Sequence, residues 1–276
     1  MVQTDRKHHK DFNSHTQRGA VRQLALEADS QDMELFGTSS ETKKIAVGVI
    51  LIALYAILAL LPMSGFIGAA GLSSILSFAI CVAPLMGIIL GPWRGFGFGL
   101  IAGIVATMVS LPIGGGVYLI IPTTILGPAV AALFTGLALK KTTKAGGLDI
   151  PGPLVTTFYL IIVIVLYEIV VYEAWWFMVP YILAAGVSLI FQIKKFEFNP
   201  NRSYLQLIPF TFVGAMLDHS MMAMGSVYLL QIPAGVFGFV IFPAMLVERT
   251  IATLLGALLG FMILKVFGEE LGSSTS

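Results

Sequence analysis

In a chain of 276 residues, 57% are apolar and only 11% carry charge, for a net charge of +1. A water-soluble domain carries roughly 25% charged residues, so this one has too little polar surface to face water on all sides, and nothing in its charge suits nucleic acid. Its single cysteine, Cys81, lies inside an apolar run, excludes an intrachain disulfide and reads as a small core residue.

Residues 1–43 are polar and of mixed charge, without the basic-then-apolar layout of a cleaved signal peptide. They are expected to form a disordered cytoplasmic tail, with a short partner-binding helix around 21–26 as the alternative. His8 and His9 in such a tail lack the further ligands a metal needs. From residue 44 to 266 apolar runs near twenty residues recur, the length at which a helix crosses a bilayer. They lack the alternation of a membrane barrel, so the fold class is all-α: a polytopic transmembrane helix bundle of about eight spans. The spans are expected at 45–61, 72–90, 95–111, 117–139, 154–171, 176–193, 204–225 and 243–264, followed by a short cytoplasmic tail at 267–276. Pro243 divides the last apolar stretch, because proline suits the first turn of a helix. Residues 232–242 then form an outer loop or a short dipping helix.

Orientation follows from the cations. Lys43, Lys44, Arg94, Lys140, Lys141, Lys144, Lys194, Lys195, Arg202 and Lys265 all fall on one side if every segment crosses. The other loops, at 64–71, 112–116, 173–175 and 226–231, hold no Lys or Arg. The positive-inside rule puts both termini in the cytoplasm of a cell-membrane protein.

Helices in lipid associate by close approach, so small residues four apart mark contact faces. Such rows are Gly95, Gly99, Gly103 and Thr107; Gly127, Ala131 and Thr135; and Ala252, Gly256 and Gly260. The glycines are packing devices, since no phosphate-loop pattern occurs, and any ATP-driven role needs a partner subunit.

Ionisable groups inside a span are functional candidates by default. Asp218 lies in the outer half of the seventh span, on its small-residue face. Glu248 lies one to two turns past Pro243 and extends the Ala252–Gly256–Gly260 row. Asp218, Glu248, Arg249 and His219 are therefore expected at one depth, opening outward. A buried ion pair that fixes helix register is the structural alternative. Glu168 sits near an outer helix end within reach of water, and Trp175 and Trp176 read as interface anchors. Ser73, Ser74, Ser77, the glycines at 114–116, Tyr118, Tyr228 and Gln231 add uncharged polar groups on the outer side. No hydrolase or metalloprotease motif occurs, so the chain is read as a non-enzyme with no cofactor and no metal site.

Three stretches carry a family resemblance. Leu90-Gly91-Pro92-Trp93-Arg94-Gly95 with the glycine-rich helix after it resembles the turn between helices two and three of energy-coupling-factor (ECF) S components, the substrate-binding membrane subunits of vitamin importers. Ile125-Leu126-Gly127-Pro128 through Lys140 and Lys141 is similar to their fourth helix. Phe242-Pro243-Ala244-Met245-Leu246-Val247-Glu248-Arg249 is similar to their last. The resemblance implies a six-helix core with cytoplasmic termini, a pocket on the outer side, and ATP hydrolysis by separate subunits reached through a membrane coupling protein. The spans at 154–193 then read as an inserted hairpin. The small-residue face of the first helix (Ala46, Ala53, Ala56, Ala59) is looser than the family's contact motif, and Val2 stands where metal-importing members carry histidine. An organic, vitamin-like ligand is expected, held by Asp218, Glu248 and Arg249, with His219 and Tyr228 behind them. A proton-coupled secondary transporter and a non-transporting membrane scaffold are the alternatives.

Overall fold

The computed structural model describes residues 39–61, 77–111, 121–194 and 204–272. Outside them lie most of the N-terminal tail with His8 and His9, the loops at 64–71 and 112–116, Ser73, Ser74, Tyr118, Lys195 and Arg202. By its internal contacts the chain divides at residue 46. The described part of the first unit is the opening of helix α1 (Ser39–Ala59), where Lys44 reaches Glu41 one turn back at 4.0 Å.

The second unit, 47–276, holds the rest of α1 and the bundle. A 3-10 turn at Phe78–Cys81 leads into α2 (Ala83–Leu90), and Gly91, at φ 83°, reverses the chain into α3 (Pro92–Ser110). The left-handed backbone there is open to glycine without steric penalty. Next come α4 (Ile121–Leu139), α5 (Gly152–Val171), α6 (Val179–Ile193), α7 (Ile208–Tyr228) and α8 (Phe242–Gly272). The last runs beyond the expected span end at 264.

Five stretches among the described residues are long and apolar enough to cross a membrane: Glu41–Ala59, Pro92–Ser110, Ile121–Leu139, Gly152–Ile193 and Ala234–Val266. The fourth is 42 residues long because α5 and α6 are joined by a short 3-10 link, Tyr172–Met178, kinked where Ala174 leaves helical geometry at φ −118° and ψ 40°. It nevertheless doubles back on itself. The hydroxyl of Ser188 donates to the Pro153 carbonyl at 2.8 Å, and that of Thr157 to the Ala185 carbonyl at 3.3 Å, pairing the stretch's start with its end. Helix α2 is short, and α7, at 21 residues, carries Asp218 and His219 mid-length; neither is among the five.

Contacts along α3 to α8 alternate in direction. Gly99 and Gly103 of α3 face Ala129 and Ile125 of α4, and a Cβ at Gly103 would stand 2.5 Å from the Ile125 carbonyl oxygen. Thr156 of α5 donates to the Phe134 carbonyl of α4. Phe191 and Tyr181 of α6 meet Phe210 and His219 of α7, while Thr211 and Asp218 of α7 meet Thr253 and Arg249 of α8. Each consecutive pair is therefore antiparallel. The small-residue rows are the contact faces that allow this approach.

The loop between α4 and α5 holds two strands that hydropathy does not reveal, β1 (Thr143–Ala145) and β2 (Leu148–Ile150), paired Ala145 to Leu148. Gly146 and Gly147 join them at φ 57° and 90°, the doubly left-handed pair of a two-residue hairpin turn. The Trp93 indole donates to the Lys144 carbonyl at 3.1 Å, tying this hairpin to the α2–α3 turn.

At the opposite end, Pro243 does not divide the last apolar stretch. Helical backbone runs from Ala234 through a π turn, Phe237–Ile241, directly into α8. In that turn the Phe242 amide donates to the Phe237 carbonyl, five residues back. The next donor in this register is Pro243, which has no N–H, so the Gly238 carbonyl loses its helical partner. The Trp176 indole supplies one at 3.2 Å, with its ring lying where a Gly238 side chain would be. Trp175 is 58% exposed and plays no such part.

Candidate functional site

Helix α7 positions the candidate residues on two of its sides. On one side, Thr211 donates to the Thr253 carbonyl at 3.0 Å, Gly214 lies against Pro84 and Thr135, and Asp218 faces Gly127 and Arg249. Glycine at 127 leaves room for the carboxylate: a Cβ there would stand 2.9 Å from Asp218 Oδ1. The side chain of Arg249 crosses from α8, its Nη1 donating to Asp218 Oδ2 at 3.4 Å and to the Ala215 carbonyl at 3.2 Å. A charge-assisted bond usually closes to roughly 2.7–2.9 Å, so this pair is held loosely.

All three charged residues are buried, Asp218 and Glu248 at 4% exposure and Arg249 at 3%. Two carboxylates thus share the interior with one guanidinium. Among the described residues, both oxygens of Glu248, and Nε and Nη2 of Arg249, have no hydrogen-bond partner. Glu248 stands one turn before Ala252, which packs against Ile80 and Cys81, so it lies on the seam between α8 and the 3-10 turn before α2. The hydroxyls of Thr135 and Thr253, also buried, are likewise unpartnered. A buried polar group without a partner costs about 1–3 kcal/mol, and more when charged. Native interiors hold few of them, which marks this seam as unusual.

His219 points to a different side of α7. Its Nδ1 and the Tyr181 hydroxyl share a hydrogen bond of 2.6 Å, and its ring lies among Phe177 and Tyr181. Phe177 in turn contacts Tyr167 and Phe237, so His219 belongs to an aromatic cluster beneath the α5–α6 link. The expected convergence of three charges and a histidine is therefore divided: Asp218 and Arg249 meet on the α4 and α8 side of α7, Glu248 lies on the α8 seam with the 3-10 turn, and His219 turns to the α6 side. Tyr228 belongs to neither group. It lies one turn or more beyond, 44% exposed, with its hydroxyl donating to the Leu166 carbonyl at 2.8 Å.

Several residues at the site escape sequence reasoning. Tyr181 and Tyr159 read as ordinary members of apolar runs, yet Tyr181 holds His219 and Tyr159 bonds Ser220 at 2.7 Å. Their one available signal was chemical: a buried tyrosine needs a partner for its hydroxyl. Trp176, expected as an interface anchor, also donates to the Gly238 carbonyl, a role its sequence position did not show. Comparison with family models, curated proteins and solved structures found no match for this chain.

Proposed function

We propose that this chain is a multi-pass membrane protein that crosses the bilayer eight times, keeps both termini in the cytoplasm, and captures a small vitamin-like organic molecule. The observation that carries this reading is the unpartnered hydrogen-bonding capacity at Glu248 and Arg249, buried beside a loose Asp218–Arg249 pair. A purely structural ion pair would satisfy its own members; this group keeps two acceptor oxygens and two guanidinium nitrogens ready for a bound molecule. Eight crossings are supported by the alternating helix directions and by the one-sided distribution of Lys and Arg.

On this reading the chain is the substrate-binding subunit of an ECF-type importer, and separate coupling and ATPase subunits supply the energy. Capture occurs at the outer side, and release follows when the partner reorients or opens the bundle. Helices α5 and α6 are the addition to a six-helix core, yet they carry Tyr159 and Tyr181 to α7 and so complete its packing. The test is mass spectrometry of small molecules that co-purify with the protein. A single compound retained by the wild type and lost, with the fold intact, from Asp218→Asn and Arg249→Gln supports the reading. Equal retention by the variants removes these residues from the site.

A lone buried carboxylate at Glu248 also suits a proton carrier, which favours the secondary-transporter alternative. Uptake in a host without coupling subunits, abolished by collapsing the proton gradient, would select it.

A further inference from the structure

A cavity lies away from the buried charges, at the end of the bundle opposite the β1–β2 hairpin. It is a cleft of about 470 Å³ between the C-terminal ends of α5 and α7 and the segment that enters the π turn. Val227 and Ile232 contribute apolar wall, and Tyr172, Glu173, Tyr228 and Gln231 contribute the polar lining. The volume falls within the range of small-ligand sites, which runs from roughly 300 to 1,000 Å³.

Three features give the cleft a chemical preference. Among its described lining residues the only formal charge is the Glu173 carboxylate, and the segments that build it, 145–193 and 204–248, contain no Lys or Arg. Two tyrosines line it, and the Tyr228 ring is fixed because its hydroxyl is tied to the Leu166 carbonyl. Aromatic faces attract cations, and more strongly where water is thinned out. Gln231 is the third. It is the one non-glycine residue with positive φ among the described residues, at 49°, and flanking backbone bonds from Leu230 to Gly225 and from Ile232 to Ser226 hold it there. A side chain kept in the left-handed region against its preference, at the wall of a cavity, is the kind of strain found at ligand clamps.

We infer that this cleft is a binding site for a small organic cation with an apolar body, such as an alkyl- or arylammonium. Glu173 supplies the counter-charge, Tyr172 and Tyr228 the aromatic faces, and the Gln231 side chain a neutral hydrogen-bonding group. The site is distinct from the Asp218–Arg249 cluster and does not depend on what that cluster holds.

Benzyltrimethylammonium is a suitable probe, titrated calorimetrically into the purified full-length protein beside benzyl alcohol and benzenesulfonate. The cation is expected to bind saturably, and at least tenfold more tightly than either comparator. Glu173→Gln should weaken it tenfold or more, and Tyr228→Leu by a smaller factor. Both variants should keep the thermal midpoint of the ligand-free protein within a few degrees, and Glu248→Gln should leave the affinity unchanged. Binding no tighter than that of benzyl alcohol overturns the inference. So does binding that survives Glu173→Gln, or that is lost in Glu248→Gln instead.

Discussion

Asp218 and Arg249 form a buried pair, Glu248 is buried without joining it, and substitution should separate these roles. Removing one member of a buried pair leaves the other charge uncompensated, at about 3–5 kcal/mol. Arg249→Gln strips the counter-charge from the buried Asp218 carboxylate and should be the most destabilising single change at the site. Adding Asp218→Asn to it should recover a large part of that loss, measured as unfolding free energy in detergent. Glu248→Gln should behave in the opposite way. Its carboxylate has no partner among the described residues, so replacement by a neutral amide is expected to raise the thermal midpoint of the empty protein while abolishing ligand retention. A midpoint lowered by Glu248→Gln would mean that the carboxylate contributes to folding. The charged residues were legible in the sequence because ionisable groups inside apolar runs stand out. The separation of His219 from them was not, because adjacent helical positions lie about 100° apart and only the partner, Tyr181, decides which neighbour each meets.

At the scale of elements, hydropathy located most helices because length and apolarity are properties of a single segment, though the described part of the span expected at 72–90 is only a 3-10 turn and the eight-residue α2. It failed where one segment repairs another. Pro243 reads as a helix start, and in isolation it would be. The helix continues upstream because Trp176, 62 residues away in sequence from Gly238, donates to the carbonyl left without its helical partner. A local pattern cannot carry that information. The coupling can be measured. Trp176→Phe keeps an aromatic ring, smaller than the indole, and removes the donor, and should cost about 1–3 kcal/mol or more in the wild-type background. Pro243→Ala restores a backbone N–H, so the same Trp176→Phe change should cost markedly less in that background. Strict additivity in this double-mutant cycle would show that the indole bond and the proline are unrelated. The β1–β2 hairpin was missed for another reason. Strands of three residues among lysines show no alternation, although the Gly146–Gly147 pair was itself a turn signal.

For the whole molecule, charge and direction agree. Arg94, the lysines around the β1–β2 hairpin and Lys194 all sit at helix ends that antiparallel packing brings to the same side, while the cleft beside Glu173 lies at the other. The proposed topology of eight crossings with cytoplasmic termini predicts opposite accessibility for two reporter positions. Lys144→Cys should react with a membrane-impermeant maleimide only from the cytoplasmic face, and Gly235→Cys only from outside. Labelling of both from one face would overturn the topology. The native Cys81, 1% exposed, should add little background to either measurement.

The two-residue reversal at Gly146–Gly147 has a practical consequence. No atom outside the adjoining chain lies within 4 Å of where a side chain would project from either glycine, so the turn stands clear of its surroundings. The strands below it leave side by side, and the Trp93 indole holds one of them to the bundle. A soluble carrier spliced between the two glycines would be gripped at both of its ends rather than tethered by one. That makes the turn a natural place to graft a fiducial for electron microscopy of a chain otherwise almost hidden in its micelle.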